Sequence, residues 1–202
     1  MQLENIVTKI TQQPEIHAKW LNTLSMMENT GARKISACEH KKNVNLIILK
    51  HAAEEARHAY YLKKQIGKID ATLCPDYNNE HLLAPKASYA YLNSLDIEVC
   101  RYLKNELGLN GEELKFAAYL LVTYAIEVRA DEIYPIYQDV LDSIGSKVNV
   151  KSIILEEEGH LEEMINQLKQ FSSNWEMHGQ KAISIESNLY QNWLIELDKE
   201  LV

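Results

Sequence analysis

Two stretches of the chain have residue types and spacings suited to holding metal ions. Residues 51–61 read H-A-A-E-E-A-R-H-A-Y-Y, and residues 154–164 read I-L-E-E-E-G-H-L-E-E-M. Each contains Glu-x-x-His, as Glu55/His58 and Glu157/His160. On an α-helix, residues three apart share a face, so each pair aims one carboxylate and one imidazole at the same place. Hard oxygen donors with one imidazole per ion suit iron or manganese. No thiolate accompanies them, which argues against zinc or iron–sulfur ligation. One such pair arises easily in a chain this rich in glutamate. Two pairs gain meaning only if the elements carrying them converge.

The flanking sequence predicts helices that do so. A short amphipathic helix over Gln2–Gln12 precedes a long one that opens at Pro14, a residue suited to a first helical turn, and runs to about Glu39. Its apolar stripe Leu21, Leu24, Gly31, Ile35, Cys38 is interrupted by Glu28, a position where a lone carboxylate needs a positive partner. After a turn at Glu39–Asn43, a helix over about Asn43–Ile66 carries the stripe Ile48, His51, Glu55, His58, Leu62. Residues 68–85 read as an irregular connection, and Lys86–Leu107 as a further helix through Leu92, Leu95 and Val99. The next helix spans about Asn110–Ile144, with Glu113 as capping partner and the stripe Phe116, Leu120, Tyr124, Glu127, Asp131, Tyr134. Pro135 is expected to kink it or end it early. Following a turn at Ser143–Asn149, Val148–Phe171 presents Ile153, Glu157, His160, Met164 and Leu168. A polar stretch, Ser172–Gly179, leads to a last helix at about 180–201.

The numbering offers a test of register. In an antiparallel hairpin, residues at one height are equidistant from the turn. Glu28 and Glu55/His58 have their midpoint near residue 42, and Glu127 and Glu157/His160 near 143. Both fall at turns placed on other grounds, so each half sets a lone glutamate level with a Glu-x-x-His.

The pattern Glu28, Glu55-x-x-His58, Glu127, Glu157-x-x-His160 resembles the ferritin-like di-iron carboxylate superfamily over roughly residues 14–171. Its short spacings, 27 and 30 residues from lone to paired glutamate, are most similar to the layout of aldehyde-deformylating oxygenases. The resemblance implies an all-α, ferritin-like four-helix bundle, with a long crossover containing an extra helix and additional helices at both ends. It makes Glu28 and Glu127 terminal ligands, Glu55 and Glu157 bridges, and His58 and His160 one imidazole per ion. The cofactor it implies is two iron ions, or an iron–manganese or dimanganese pair. The reaction it implies is dioxygen activation toward a small, largely apolar substrate. Iron handling as a ferroxidase and catalase-like peroxide disproportionation are the alternatives.

Around the six ligands, Tyr61, Tyr124, Asp131 and His51 are placed as outer-shell candidates. His51-x-x-x-Glu55-x-x-His58 also resembles the third-helix signature of haem-oxygenase-like dimetal oxidases, but that fold would leave the second Glu-x-x-His without a purpose. Glu54, Glu156, Glu158, Glu162 and Glu163 read as solvated faces. Glu98 is level with the site but off its helix's apolar stripe, and is left outside.

Composition bounds the rest. The 202 residues suit a single domain over 1–202, and 46% hydrophobic with 25% charged residues is ordinary for a globular chain. Seven glycines and four prolines favour long helices. A net charge of −8 makes nucleic acid an unsuitable partner. Three scattered cysteines, without a basic-then-apolar leader or a membrane-length apolar run, point to a cytoplasmic protein with reduced thiols and no membrane association. The expected partners are a small-molecule substrate and dioxygen, with room for an external electron donor and a homodimer.

Overall fold

The computed structural model describes residues 3–201, apart from the side chain of Glu158. A helix start at Gln2 and the reading of Glu158 as solvated therefore lie outside the described residues. Among those residues the chain is all-α, without a strand. Its helices are α1 (Leu3–Thr11), α2 (Pro14–Cys38), α3 (Leu46–Ile66), α4 (Pro85–Leu107), α5 (Gly111–Ser143), α6 (Lys151–Phe171) and α7 (Trp175–Lys199), with a 3-10 turn at Asn79–His81. α2 pairs with α3 and α5 with α6, while α4 and α7 pack on each other and on α5, and α1 packs on α5 and α2.

Local chemistry sets the boundaries. Pro14 sits in the first turn of α2 as expected. α3 begins at Leu46, three residues later than the sequence suggests, because the Asn45 side chain caps it, accepting from the Ile47 amide at 2.9 Å. In the preceding turn His40 Nδ1 accepts from the amides of Lys42 and Asn43. The cap expected at Asn110 is not made, since its side chain forms no cap hydrogen bond.

α5 runs to Ser143, close to the expected end at about Ile144, so Pro135 lies inside the helix and does not end it early. Buried residues on both sides of it, Ile133 and Tyr134 before and Tyr137, Gln138 and Leu141 after, hold the helix in the core. Nor is Ser172–Gly179 a polar linker, since α7 begins at Trp175. Gly179 is there for close approach: a Cβ on it would stand 2.9 Å from the Tyr124 ring. Trp175 packs edge-on to the same ring, and His178 Nδ1 hydrogen-bonds the Tyr102 hydroxyl at 2.7 Å.

The α5–α6 register has a physical basis. Residues 144–150 fold back along the last turns of α5, so α6 starts level with Gln138, not with the end of α5. Gln138 Oε1 accepts from the Val150 amide at 2.7 Å, and Val148 and Val150 are buried.

The core at the far end is aromatic. Trp20 stacks on Trp193 at 5.8 Å, and Trp193 on Tyr91 at 5.7 Å. Glu186, buried on α7, is neutralised by a two-pronged contact from Arg129 at 2.9 and 2.8 Å. It also accepts from the Tyr91 hydroxyl at 2.6 Å, tying α4, α5 and α7 together.

His17, 4% exposed, contacts the Tyr137 hydroxyl at 2.6 Å, and burial pushes its imidazole down to about 4. The unfolded chain protonates His17 near 6.5. Its contribution to stability is therefore complete above that pH and is lost as pH falls toward 4. Chemical denaturation of the metal-free chain should show stability declining by about 1 kcal/mol per pH unit over that window from this residue. His17→Gln should flatten that part of the profile.

Candidate metal centre

The bundle brings all six expected ligands to one place, from four helices: Glu28 on α2, Glu55 and His58 on α3, Glu127 on α5, Glu157 and His160 on α6. Ligand-capable atoms of Glu28, Glu55 and His58 lie within 4.8 Å of one another, as do those of Glu55, Glu127, Glu157 and His160. Glu55 belongs to both groups. Glu157 joins them as well, with Oε1 3.0 Å from His58 Nδ1 and Oε2 3.1 Å from His160 Nδ1. The geometry is thus two adjacent pockets, each with one imidazole and one private glutamate, and two glutamates between them. The two imidazole rings stand 6.1 Å apart.

All six are shielded from solvent, and Glu28 is the most open, with 15% of its side chain exposed. Burying four carboxylates together is electrostatically unfavourable unless positive charge is interposed. In the metal-free chain, protons supply it. Burial pushes Glu55 and Glu127 well above the usual carboxylate range, reinforced by Glu28 and Glu157 respectively. Burial also opposes ionisation of Glu28 and Glu157, yet the neighbouring Glu55 and His58 hold Glu28 low, and Glu127, His160 and His58 hold Glu157 low. Burial alone would lower the imidazoles. Glu157 and Glu28 instead push His58 up to about 10, and Glu127 and Glu157 push His160 up to about 11.

The residues fit a pair of cations better than they fit protons. Glu127 Oε1 is buried without a hydrogen-bond partner, and so is His58 Nδ1, which faces Glu157 Oε1 at 3.0 Å without the alignment of a hydrogen bond. Such orphaned atoms are costly in a core but are natural as lone pairs directed at an ion. Four carboxylates also balance two divalent cations, and the donor set is hard oxygen with one imidazole per pocket.

The outer nitrogens of the two histidines reveal residues that sequence reasoning placed wrongly. His160 Nε2 lies 2.8 Å from Glu54 Oε2, and His58 Nε2 lies 3.2 Å from Glu156 Oε2. Glu54 and Glu156 are thus not solvated faces: each directly precedes a ligand glutamate on one helix and braces the ligand histidine of the other. Such braces fix the tautomer and ring orientation of a metal-bound imidazole. The signal was present in the sequence as the doubled motif Glu-Glu-x-x-His in both stretches. Arg57 pairs with Glu156 in turn. Glu163 is engaged too, 2.9 Å from His51 Nε2 and 2.6 Å from Lys50.

Of the outer-shell candidates, His51 is near the site, its ring 5.0 Å from that of His160, and its Nδ1 meets the Tyr119 hydroxyl at 3.0 Å. Tyr61 donates instead to Asn149 Oδ1 at 2.7 Å. Tyr124 packs against α7, and Asp131 is exposed. The tyrosine that does reach a ligand is Tyr134, whose hydroxyl donates to Glu28 Oε1. Glu98 pairs with Arg101 on the surface, and Glu162 is exposed as expected.

A cavity of about 470 Å³ runs between α2, α4 and α5 and reaches Glu28, Glu55 and Glu127. Its wall is predominantly aliphatic, including Leu24, Ile35, Leu92, Leu95, Val122 and Ile133. Lys34 closes one side, paired with Asp96 and donating to the Leu92 carbonyl at 3.0 Å.

Because Glu55 is held protonated in the metal-free fold but ionises on unfolding near neutral pH, it opposes stability there, and increasingly so as pH rises above 4.5. Glu55→Gln should therefore make the chelator-treated chain more stable at pH 7, read as a higher midpoint in urea denaturation. A loss of stability would contradict this account of the cluster.

Comparison with known protein families, curated proteins and solved structures finds no match to this chain.

Proposed function

We infer that the chain is a ferritin-like dimetal oxidoreductase that activates dioxygen toward a largely apolar organic substrate. The observation carrying this reading is the junction of two features: a six-ligand, two-pocket carboxylate–histidine cluster and an aliphatic cavity that ends on three of its glutamates. In this reading α2, α3, α5 and α6 are the four core helices, and α4 belongs to the crossover between the two hairpins.

Glu28, Glu55, His58, Glu127, Glu157 and His160 would hold two iron ions, or iron and manganese, or two manganese ions. Such a pair, when bound, would supply the redox chemistry that dioxygen activation requires. The protein's own residues set the conditions. Glu54 and Glu156 fix the imidazoles, so that only their Nδ1 atoms face the cluster. The Tyr134 hydroxyl takes one lone pair of Glu28 and so restricts how that carboxylate can turn. The aliphatic wall excludes water and binds an apolar molecule by burial alone, beside the open edges of Glu28, Glu55 and Glu127. That wall favours an oxidase or oxygenase over iron handling, which has no use for an apolar chamber on the ligands.

Anaerobic titration with ferrous or manganous ion should load two ions per chain, and rapid mixing with oxygen should then consume it. Glu157→Ala, which removes the carboxylate touching both histidines, should lose both ions while circular dichroism stays helical. Retention of two ions in that variant, or no binding by the wild type, would overturn the reading. Val122→Phe, which fills the cavity without touching a ligand, should keep the ion count and lose substrate-stimulated oxygen uptake. Unchanged stimulation would remove the substrate from this cavity.

A further inference from the structure

We propose that the outer face of α3 is the two-fold interface of a homodimer. The helix carries two apolar stripes. One, through Ile48, His51, Glu55, His58 and Leu62, is buried toward the cluster. The other comprises Leu46, Leu49, Ala53, Ala56 and Tyr60, on the opposite side, and all five are exposed. Their spacing of three, four, three and four residues is the seam of a helix that packs against another helix along its length. No charged residue falls on that seam across four turns.

Nothing in the chain covers this face among the described residues. α1 and α4 pack on α2 and α5, α7 packs on α4 and α5, and α3 packs closely only against α2. Toward α6 it reaches with long side chains, through Lys50–Glu163 and Arg57–Glu156. On that neighbouring helix Leu155 and Gly159 are exposed as well.

The shape of the patch suits a second copy of itself. Large side chains stand at its two ends, Val44 (60% exposed), Leu46 (78%) and Leu49 (43%) at one and Tyr60 (62%) and Leu155 (70%) at the other. Small residues, Ala53, Ala56 and Gly159, form the middle. An antiparallel pairing about a two-fold axis at Ala53 sets Leu46 of each copy against Tyr60 of the other, and lets the backbones approach where the side chains are smallest. A self-complementary patch of this kind is what an isologous interface requires.

Size agrees. The five large side chains leave roughly 600 Å² of apolar surface exposed, at the upper end for a lone monomer and near the ~800 Å² per partner of a stable interface. Charge agrees as well. The chain as a whole carries −8 and repels its copies, but Lys50 and Arg57 along this face are neutralised by Glu163 and Glu156. A transient redox protein would be expected on a smaller, more polar surface. A second copy would also bury Glu54 and Glu156, whose side chains are 25% and 34% exposed here, and so dry the braces of both ligand histidines.

Sedimentation velocity on the purified chain at tens of micromolar should give a dimer. Ala53→Glu and Ala56→Glu place a carboxylate on an exposed helical position, so folding should be unaffected by circular dichroism. Each should raise the dimer dissociation constant by about 100-fold or more. Ala53→Cys should form an inter-chain 53–53 disulfide under mild oxidation, identified by peptide mass spectrometry. A wild-type monomer overturns the proposal, whatever other protein binds the face. So does a dimer that both glutamate variants leave intact, or a dimer in which position 53 does not cross-link.

Discussion

Four carboxylates packed into one helical interior form the constraint around which the rest of this molecule is arranged. Glu28, Glu55, Glu127 and Glu157 come from four different helices, so no rotation of a single element relieves their mutual repulsion. In the metal-free chain the repulsion is met by protons. Two carboxyls are held protonated, and the two imidazoles between them are driven up to about 10 and about 11. Divalent cations compete for the same atoms and displace those protons, so metal affinity in such a cluster is coupled to pH and to folding. The site therefore destabilises the metal-free fold in which it is built.

That strain needs a stiff frame, and the frame is distributed unequally. At one end Trp20, Trp193 and Tyr91 stack, and the buried Arg129–Glu186 pair ties α5 to α7. Around the ligands themselves the work is done by hydrogen bonds crossing between α3 and α6. Glu54 on α3 holds His160 on α6, and Glu156 on α6 holds His58 on α3. Each helix thus orients the other's imidazole, and sliding α3 along α6 would break both contacts together. The two helices need no close backbone packing to stay in register.

Much of this was legible in the sequence, for a simple reason. A helix spaced by three and four residues fixes which side chains face inward, and a carboxylate on an apolar stripe, as Glu28 is, has to be explained. The hairpin midpoints then related the stripes to one another. What the sequence could not show was what happens off the stripes. Glu54 and Glu156 lie one position from ligands and read as surface acids, because a half-exposed acceptor for a buried imidazole looks the same as a solvated glutamate. Tyr134 stood on the stripe but with nothing to separate it from packing tyrosines. Gly179 was misread as part of a polar break, and Pro135 as a point where α5 could end early, since local propensity carries no record of tertiary support. Pro135 is held in a helix by buried neighbours on both sides, and Gly179 admits the Tyr124 ring at a distance no other residue would allow. The level of α6 was right for an incomplete reason: the midpoint holds because residues 144–150 run back along α5 to Gln138, which the numbering alone does not reveal.

The two sides of the cluster differ in a way that follows from what each must do. On the α3–α6 side, both histidines of the cluster are held by carboxylate partners. On the α2–α5 side there are no histidines, and Glu28, Glu55 and Glu127 look into an aliphatic chamber. A carboxylate can turn about its own bonds and change which oxygen it presents, whereas a braced imidazole cannot. Flexible ligands therefore face the chamber, and rigid ones face away from it. Gly31 lines the same chamber, and a Cβ on it would stand in van der Waals contact with Glu55 Oε2, at 3.7 Å. A centre that only stored ions would gain nothing from this polarity. Under the proposed dimetal oxidoreductase reading, the braced imidazoles would hold the ions from behind while the carboxylates face the apolar chamber.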